Sequence, residues 1–129
     1  HLNPNIMKIA HEKLIRDNIK LISPLDYPDL IWMMNHSNLI LTDSGGIQEE
    51  APSLGKPVLV LREITERMEG VEAGTAILVG SNKEKIVAET SMLLTDDSYY
   101  SKISKASNPY GDGTTSEKIK EIILSNDRY

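Results

Sequence analysis

The sequence predicts an α/β fold, a parallel sheet covered by helices on both faces. Three observations lead there. Short apolar runs, Leu39-Ile40-Leu41 and Val58-Leu59-Val60-Leu61, alternate with longer segments of helical period. The second run is continuous, not alternating, as a strand buried on both faces requires. Each run ends in turn residues with a helical pattern behind them, which is the layout of right-handed βαβ units. Ligands of such sheets sit outside the carboxyl ends of the strands. Segments 42–46 and 62–67 both fall at such ends.

Composition bounds the answer. A chain of 129 residues, 40% hydrophobic and 26% charged, reads as a single globular domain over 1–129. Aromatic residues make up 5% and there is no Phe, so Leu, Ile, Val and Met must build the core. The net charge of −5 weighs against a nucleic-acid partner or an anionic membrane surface. A bound phosphate would need local backbone donors and specific arginines. The lack of cysteine removes disulfides and thiolate zinc sites and suits a cytoplasmic protein. No apolar run has membrane-spanning length, and no signal peptide is read. His1, His11 and His36 have no metal-ligand spacing, so neither a metal nor another cofactor is expected. A start at His1 without Met reads as a processed product or a piece of something longer.

In chain order, Asn3 is a candidate N-cap with Pro4 at the first helical position, and an apolar stripe carries that helix to about residue 17. Residues 19–22 read as a short strand stopped by Ser23-Pro24. A helix follows over 26–36, then the strand 39–41. The next helix, 47–54, contains Pro52, which deletes one backbone bond and should kink it; Gly55 ends it. After the strand 58–61, a polar loop holds a short helix near 66–70, and a strand spans 75–79. Ser81 or Asn82 caps a helix over 83–94, with Ile86, Val87, Thr90, Leu93 and Leu94 inward. Helices 97–106 and 114–125 flank the loop Asn108-Pro109-Tyr110-Gly111-Asp112-Gly113. In the last helix Ile119, Ile122 and Ile123 should face inward.

The segment Thr42-Asp43-Ser44-Gly45-Gly46-Ile47-Gln48-Glu49-Glu50 carries the chemistry. Strand, small-residue turn and helix start together make an anion site, because the first helical N–H groups lack partners and the helix dipole is positive there. Gly45 and Gly46 would let a phosphate approach the backbone. Ser44 offers both a cap and a hydroxyl. Glu50, about a turn and a half into the helix, could accept protons from sugar hydroxyls. Arg67, arriving from the next strand end, offers a planar fork for phosphate. The same residues also suit a plain capped helix start, with Arg67 as a solvated surface arginine.

Two other motifs are set aside. Asp43-Ser44-Gly45-Gly46 is superficially like the nucleophile segment of trypsin-like proteases, but those are two β-barrels, and a triad is defined by geometry. Gly55-Lys56-Pro57 is not a P-loop, because Pro57 replaces the required Ser or Thr.

Several linked motifs carry a resemblance. The run from Leu41 to Pro52, Leu-Thr-Asp-Ser-Gly-Gly-Ile-Gln-Glu-Glu-Ala-Pro, resembles the signature of the non-hydrolysing UDP-N-acetylglucosamine 2-epimerases. Leu54-Gly55-Lys56-Pro57-Val58-Leu59, Thr65-Glu66-Arg67, Glu72-Ala73-Gly74-Thr75 and the 108–113 loop follow in that family's order, and His1-Leu2-Asn3-Pro4 is similar to its His-x-Asn-Pro segment. The resemblance covers essentially the whole chain. It implies a Rossmann-like sheet forming most of the C-terminal half of a GT-B fold, a partial UDP-binding domain of a two-domain enzyme.

The family interconverts UDP-GlcNAc and UDP-ManNAc by eliminating UDP and adding it back. By the same resemblance Ser44, Gly45 and Gly46 would hold the diphosphate, Glu50 the ribose hydroxyls, and Arg67 would sit near the phosphates. Leu25 would meet the uracil edge through its backbone. Leu30 stands where relatives often place an aromatic ring against uracil. His1 would match a histidine of the family's second, allosteric UDP-GlcNAc site. Implied partners are UDP-GlcNAc or UDP, an N-terminal domain of the same enzyme, and a second copy in a homodimer. No catalytic residue is assigned to this chain. The family's proton-transfer carboxylates belong to the N-terminal domain, and its Gly-His-Arg-Arg-Glu segment is not among these 129 residues. Two alternatives stand beside this reading, an inactive UDP-sugar-binding fragment or subunit and a GT-B glycosyltransferase domain.

Overall fold

The computed structural model describes residues 3–126. Contacts divide the chain into two compact units, with the boundary in sequence between Met33 and Met34.

In the first unit, helix α1 spans Pro4–Lys13, with the Asn3 carboxamide accepting from the Asn5 N–H at 3.0 Å and Pro at the helix start. It is shorter than the apolar stripe predicted. The chain leaves helical geometry at Leu14, and Asp17-Asn18 favour a turn. The expected strand at 19–22 does not form. A strand takes its hydrogen bonds from a neighbour, and among the described residues of this unit there is no strand to pair with it. Helix α2, Tyr27–His36, runs across the boundary.

The second unit holds the sheet. Strands β1 (Ile40–Thr42), β2 (Val58–Val60) and β3 (Ala76–Leu78) are parallel, in the order β1-β2-β3, with Ile40 opposite Val58 and Val58 opposite Ala76. The parallel α/β architecture expected from the alternation is therefore present. All three β2 residues are completely buried, as the continuous apolar run predicted. Leu59 packs with Val79, Leu93 and Ile103, flanked by Leu39, Leu61, Ile77, Ile86, Tyr99 and Tyr100.

Helix α3, Gly45–Glu50, tightens into a 3-10 turn at Ala51–Leu54, where Pro52 cannot donate a backbone hydrogen bond. Gly55 ends the turn with φ +65°, a left-handed conformation that disfavours any side chain. Helix α4 is Met68–Glu72, slightly later than expected. Helix α5, Lys83–Thr95, is capped by the Asn82 side chain, which accepts from the Lys85 N–H at 2.8 Å. Helix α6, Asp97–Ser104, is capped by Asp96, and α7 is Thr115–Asn126.

Burial corrects two sequence expectations. On α5, Leu93 is buried and Ile86 half-buried, but Val87 and Leu94 are exposed. On α7, Ile119, Ile122 and Ile123 are all more than half exposed. Apolar periodicity forms the helices in both cases, but burial needs a partner surface, and none of the described residues covers these stripes. No helix among the described residues is long and apolar enough to cross a membrane.

Tyr99 ties α6 to α5 through its hydroxyl, which donates to Glu89 Oε2 at 2.8 Å. Burial, with the Glu89 carboxylate beside it, pushes its hydroxyl up from the usual 10.0 to about 12. The folded state thus prefers the neutral phenol. Its stabilising contribution is complete below pH 10 and lost as pH rises toward 12. A tyrosinate absorbance titration should show a late-ionising tyrosine that Tyr99→Phe removes. A titration in which Tyr99→Phe leaves the late step in place would overturn the assignment.

Candidate functional site

Strand β1 delivers the chain to Asp43 and Ser44, and α3 starts at Gly45. The Ser44 N–H donates to Thr42 Oγ1 at 3.0 Å, which fixes the turn. Ser44 occupies the N-cap position, but its side chain makes no capping hydrogen bond, and it sits at the exposed surface. The expected cap is therefore one of position only. Its carbonyl receives two donors, the Gln48 N–H at 3.4 Å and Gln48 Nε2 at 3.1 Å.

The two glycines differ. A Cβ on Gly45 would lie 2.8 Å from Arg67 Cζ and 3.1 Å from Nε, so the guanidinium rests directly on Gly45. A Cβ on Gly46 would meet nothing within 4 Å. A side chain at 45 would push the flexible Arg67 guanidinium aside, whereas at 46 the backbone faces open space.

Arg67 reaches Gly45 from the loop between β2 and α4. Its Nε donates to Glu49 Oε1 at 2.8 Å, and its Nη1 bonds Glu66 Oε1. Arg62 Nη1 also donates to Glu66, at 3.1 Å. Two arginines and two carboxylates thus form one surface cluster. The Glu49 hydrogen bond raises the Arg67 guanidinium further above its usual range. A backbone hydrogen bond, and then the two arginine charges, hold Glu66 below the usual carboxylate value.

Beneath this cluster lies a buried polar chain. Gln48 is 1% exposed and Thr65 2%. Thr65 Oγ1 donates to Gln48 Oε1 at 2.7 Å and accepts from the Arg67 N–H at 3.1 Å. On the far side of Arg67, the Tyr110 hydroxyl donates to the Arg67 carbonyl at 3.2 Å and accepts from the Gly70 N–H at 3.0 Å. Asn108 holds the Tyr110 loop, accepting from the Tyr110 N–H at 3.1 Å and donating to Ser53 Oγ at 2.8 Å. Asp112 accepts from the Thr114 hydroxyl and N–H, which holds its carboxyl well below the usual range.

Of the residues predicted from sequence, Ser44, Gly45, Gly46, Glu50 and Arg67 lie in the second unit, and the structure brings Arg67 onto Gly45. Glu50 is the half-buried last residue of α3. Leu25 and Leu30 belong to the first unit, both half-buried. His1 lies outside the described residues. Sequence reasoning missed Gln48, Thr65 and Tyr110. Gln48 carries a signal in hindsight, an amide four residues after the N-cap and so on the same helix face. Thr65 and Tyr110 stood only within the Thr65-Glu66-Arg67 and 108–113 motifs, and nothing local paired them with Gln48 and Arg67, 17 and 43 residues away.

Residues 1–124 match the family model described as UDP-N-acetylglucosamine 2-epimerase. A Campylobacter jejuni UDP-N-acetylglucosamine 2-epimerase is 55% identical over 125 residues, 96% of this chain and 33% of that protein. The crystal structure of a Neisseria meningitidis UDP-GlcNAc 2-epimerase bound to UDP-GlcNAc is similar at a TM-score of 0.88 and 50% identity, over 98% of this chain and 35% of that one. A co-structure of an S. aureus protein with UDP has a TM-score of 0.88 and 52% identity, over 95% of this chain and 34% of its own. The chain spans about a third of the length of the relatives it matches. With the motif order, the parallel sheet and a family match over 124 residues in agreement, the chain belongs to the UDP-N-acetylglucosamine 2-epimerase family.

Proposed function

We propose that this chain is the UDP-binding C-terminal portion of a cytoplasmic, homodimeric UDP-GlcNAc 2-epimerase with a GT-B fold. The observation that carries the reading is the Arg67 guanidinium resting on Gly45, at the start of α3. A cation and a glycine backbone with free N–H groups then meet at the carboxyl end of adjacent parallel strands, where such sheets take their ligands.

In this reading Ser44, Gly45 and Gly46 hold the diphosphate and Arg67 offsets its charge. Glu50 accepts from the ribose hydroxyls. His1 serves the second, allosteric UDP-GlcNAc site. The reaction breaks the C2–H bond and the C1–O bond to UDP, leaving 2-acetamidoglucal. UDP then adds back at C1 while a proton arrives at C2 on the opposite face. This chain's share is to bind and stabilise the departing UDP, whose diphosphate gains charge as the bond breaks. An N-terminal domain supplies the proton-transfer groups. The open apolar stripes on α5 and α7 are suited to packing against further protein.

Glu50→Ala tests the nucleotide grip. Loss of a charged acceptor for ribose hydroxyls should weaken UDP binding by about 1.5–3 kcal/mol in the full-length protein, read by calorimetry. Unchanged affinity would reduce Glu50 to a structural residue of α3.

A further inference from the structure

We propose that Thr65 and Tyr110 are positioning residues that hold the main chain of Arg67 from both sides, with Gln48 anchoring Thr65 to the Ser44 turn. The inference rests on the nucleotide reading above and names residues that reading does not use.

Arg67 lies on a loop, and its side chain is 29% exposed. Ion pairs at that exposure place a guanidinium loosely, because solvent screens them and long side chains lose entropy in holding one geometry. The backbone beneath is held differently. Its N–H bonds Thr65 Oγ1 and its carbonyl accepts from the Tyr110 hydroxyl. Both hydroxyls are spoken for on their other side, Thr65 by Gln48 and Tyr110 by the Gly70 N–H. The Gln48 amide is used at both ends, since Nε2 donates to the Ser44 carbonyl. A continuous path therefore runs from the Ser44 carbonyl through Gln48 and Thr65 to Arg67, and it is buried at Gln48 and Thr65.

The chemistry of each member is specific. Thr65 must accept and donate at one oxygen, which a hydroxyl does and a methyl does not. Gln48 must accept at one end and donate at the other, which a carboxylate does not do. Buried bonds of this kind are short of alternatives, so losing one leaves its partner unsatisfied. The path couples two loops that leave different strands, and those loops carry the two halves of the anion site. A tilt of either loop would lift the guanidinium from Gly45.

The test uses the full-length protein carrying this chain, with UDP as probe. Thr65→Val and Tyr110→Phe each remove one hydroxyl at nearly constant shape. Each should weaken UDP binding about five- to tenfold, the consequence of one lost hydrogen bond. Thr65→Ser should restore affinity. In an Arg67→Ala background, Thr65→Val should cost almost nothing further, because both act through the same guanidinium. A purely structural role would give the same loss in both backgrounds and would overturn the proposal, as would unchanged affinity in both single variants.

A second readout needs no nucleotide. The Arg67 Nε–H resonance, identified by its disappearance in Arg67→Ala, should shift in Thr65→Val and return in Thr65→Ser. An unmoved resonance overturns the positioning role. Failure of the unmodified protein to bind UDP would count against the nucleotide reading and leave the resonance test to decide the positioning role.

Discussion

Leu59→Ala is expected to destabilise the second unit by about 2–5 kcal/mol, the range for truncating a fully buried leucine. Leu59 is 0% exposed, sits in the middle residue of the central strand, and packs with Val79, Leu93 and Ile103. The loss combines the transfer free energy of the removed atoms with a cavity that a strand paired on both edges cannot collapse to fill. Typical domains are stable by only about 5–15 kcal/mol, so the change could consume a large part of the total. Leu94→Ala is the matched control. Leu94 has helical spacing that promised burial, but it is 58% exposed, and its truncation should stay within about 0.5 kcal/mol. Urea midpoints measured side by side decide the matter. Equal midpoints for the two variants would mean that the sheet centre is not the core.

A polypeptide of these 129 residues alone is expected to form no UDP-ManNAc from UDP-GlcNAc. The reaction needs a base at one face of C2 and an acid at the other, and each positioned group contributes about 10²–10⁴-fold. The local carboxylates that could substitute are Asp43, Glu49 and Glu66. Glu49 and Glu66 are both engaged by Arg67, and Glu66 by Arg62 as well. For Glu66 a backbone hydrogen bond and then the two arginine charges favour the charged form, which makes it a weak base, and Glu49 has its Oε1 occupied by the Arg67 Nε–H. Asp43 is exposed, where water competes for any proton it moves. Incubating the polypeptide with UDP-GlcNAc and following the anomeric protons by NMR tests the claim. Turnover proportional to polypeptide concentration and abolished by Glu66→Gln would refute it and place the proton chemistry within this chain.

What was legible from sequence follows a physical division. The α/β class, the buried central strand, the Asn3 and Asn82 caps and the break at Pro52 depend on local rules: hydrophobic period, cap chemistry and the missing proline donor. The strand-end position of Ser44 and Gly45 was readable for the same reason. The sequence alone thus determined the fold class, the placement of the Ser44–Gly46 turn at a strand end and, through linked motifs, the family. Tertiary structure decided whatever depends on a partner distant in sequence. The 19–22 run is apolar enough for a strand, but among the described residues of its unit there is no strand to pair with it, so it stays irregular. Val87, Leu94 and the α7 isoleucines have the right spacing for burial, yet burial belongs to the surface opposite and not to the helix. Most of all, it was the fold that laid Arg67 on Gly45 and threaded Gln48, Thr65 and Tyr110 beneath it. Those bonds join segments with no common period, because a hydroxyl satisfied across 43 residues leaves no trace in the local pattern of either segment.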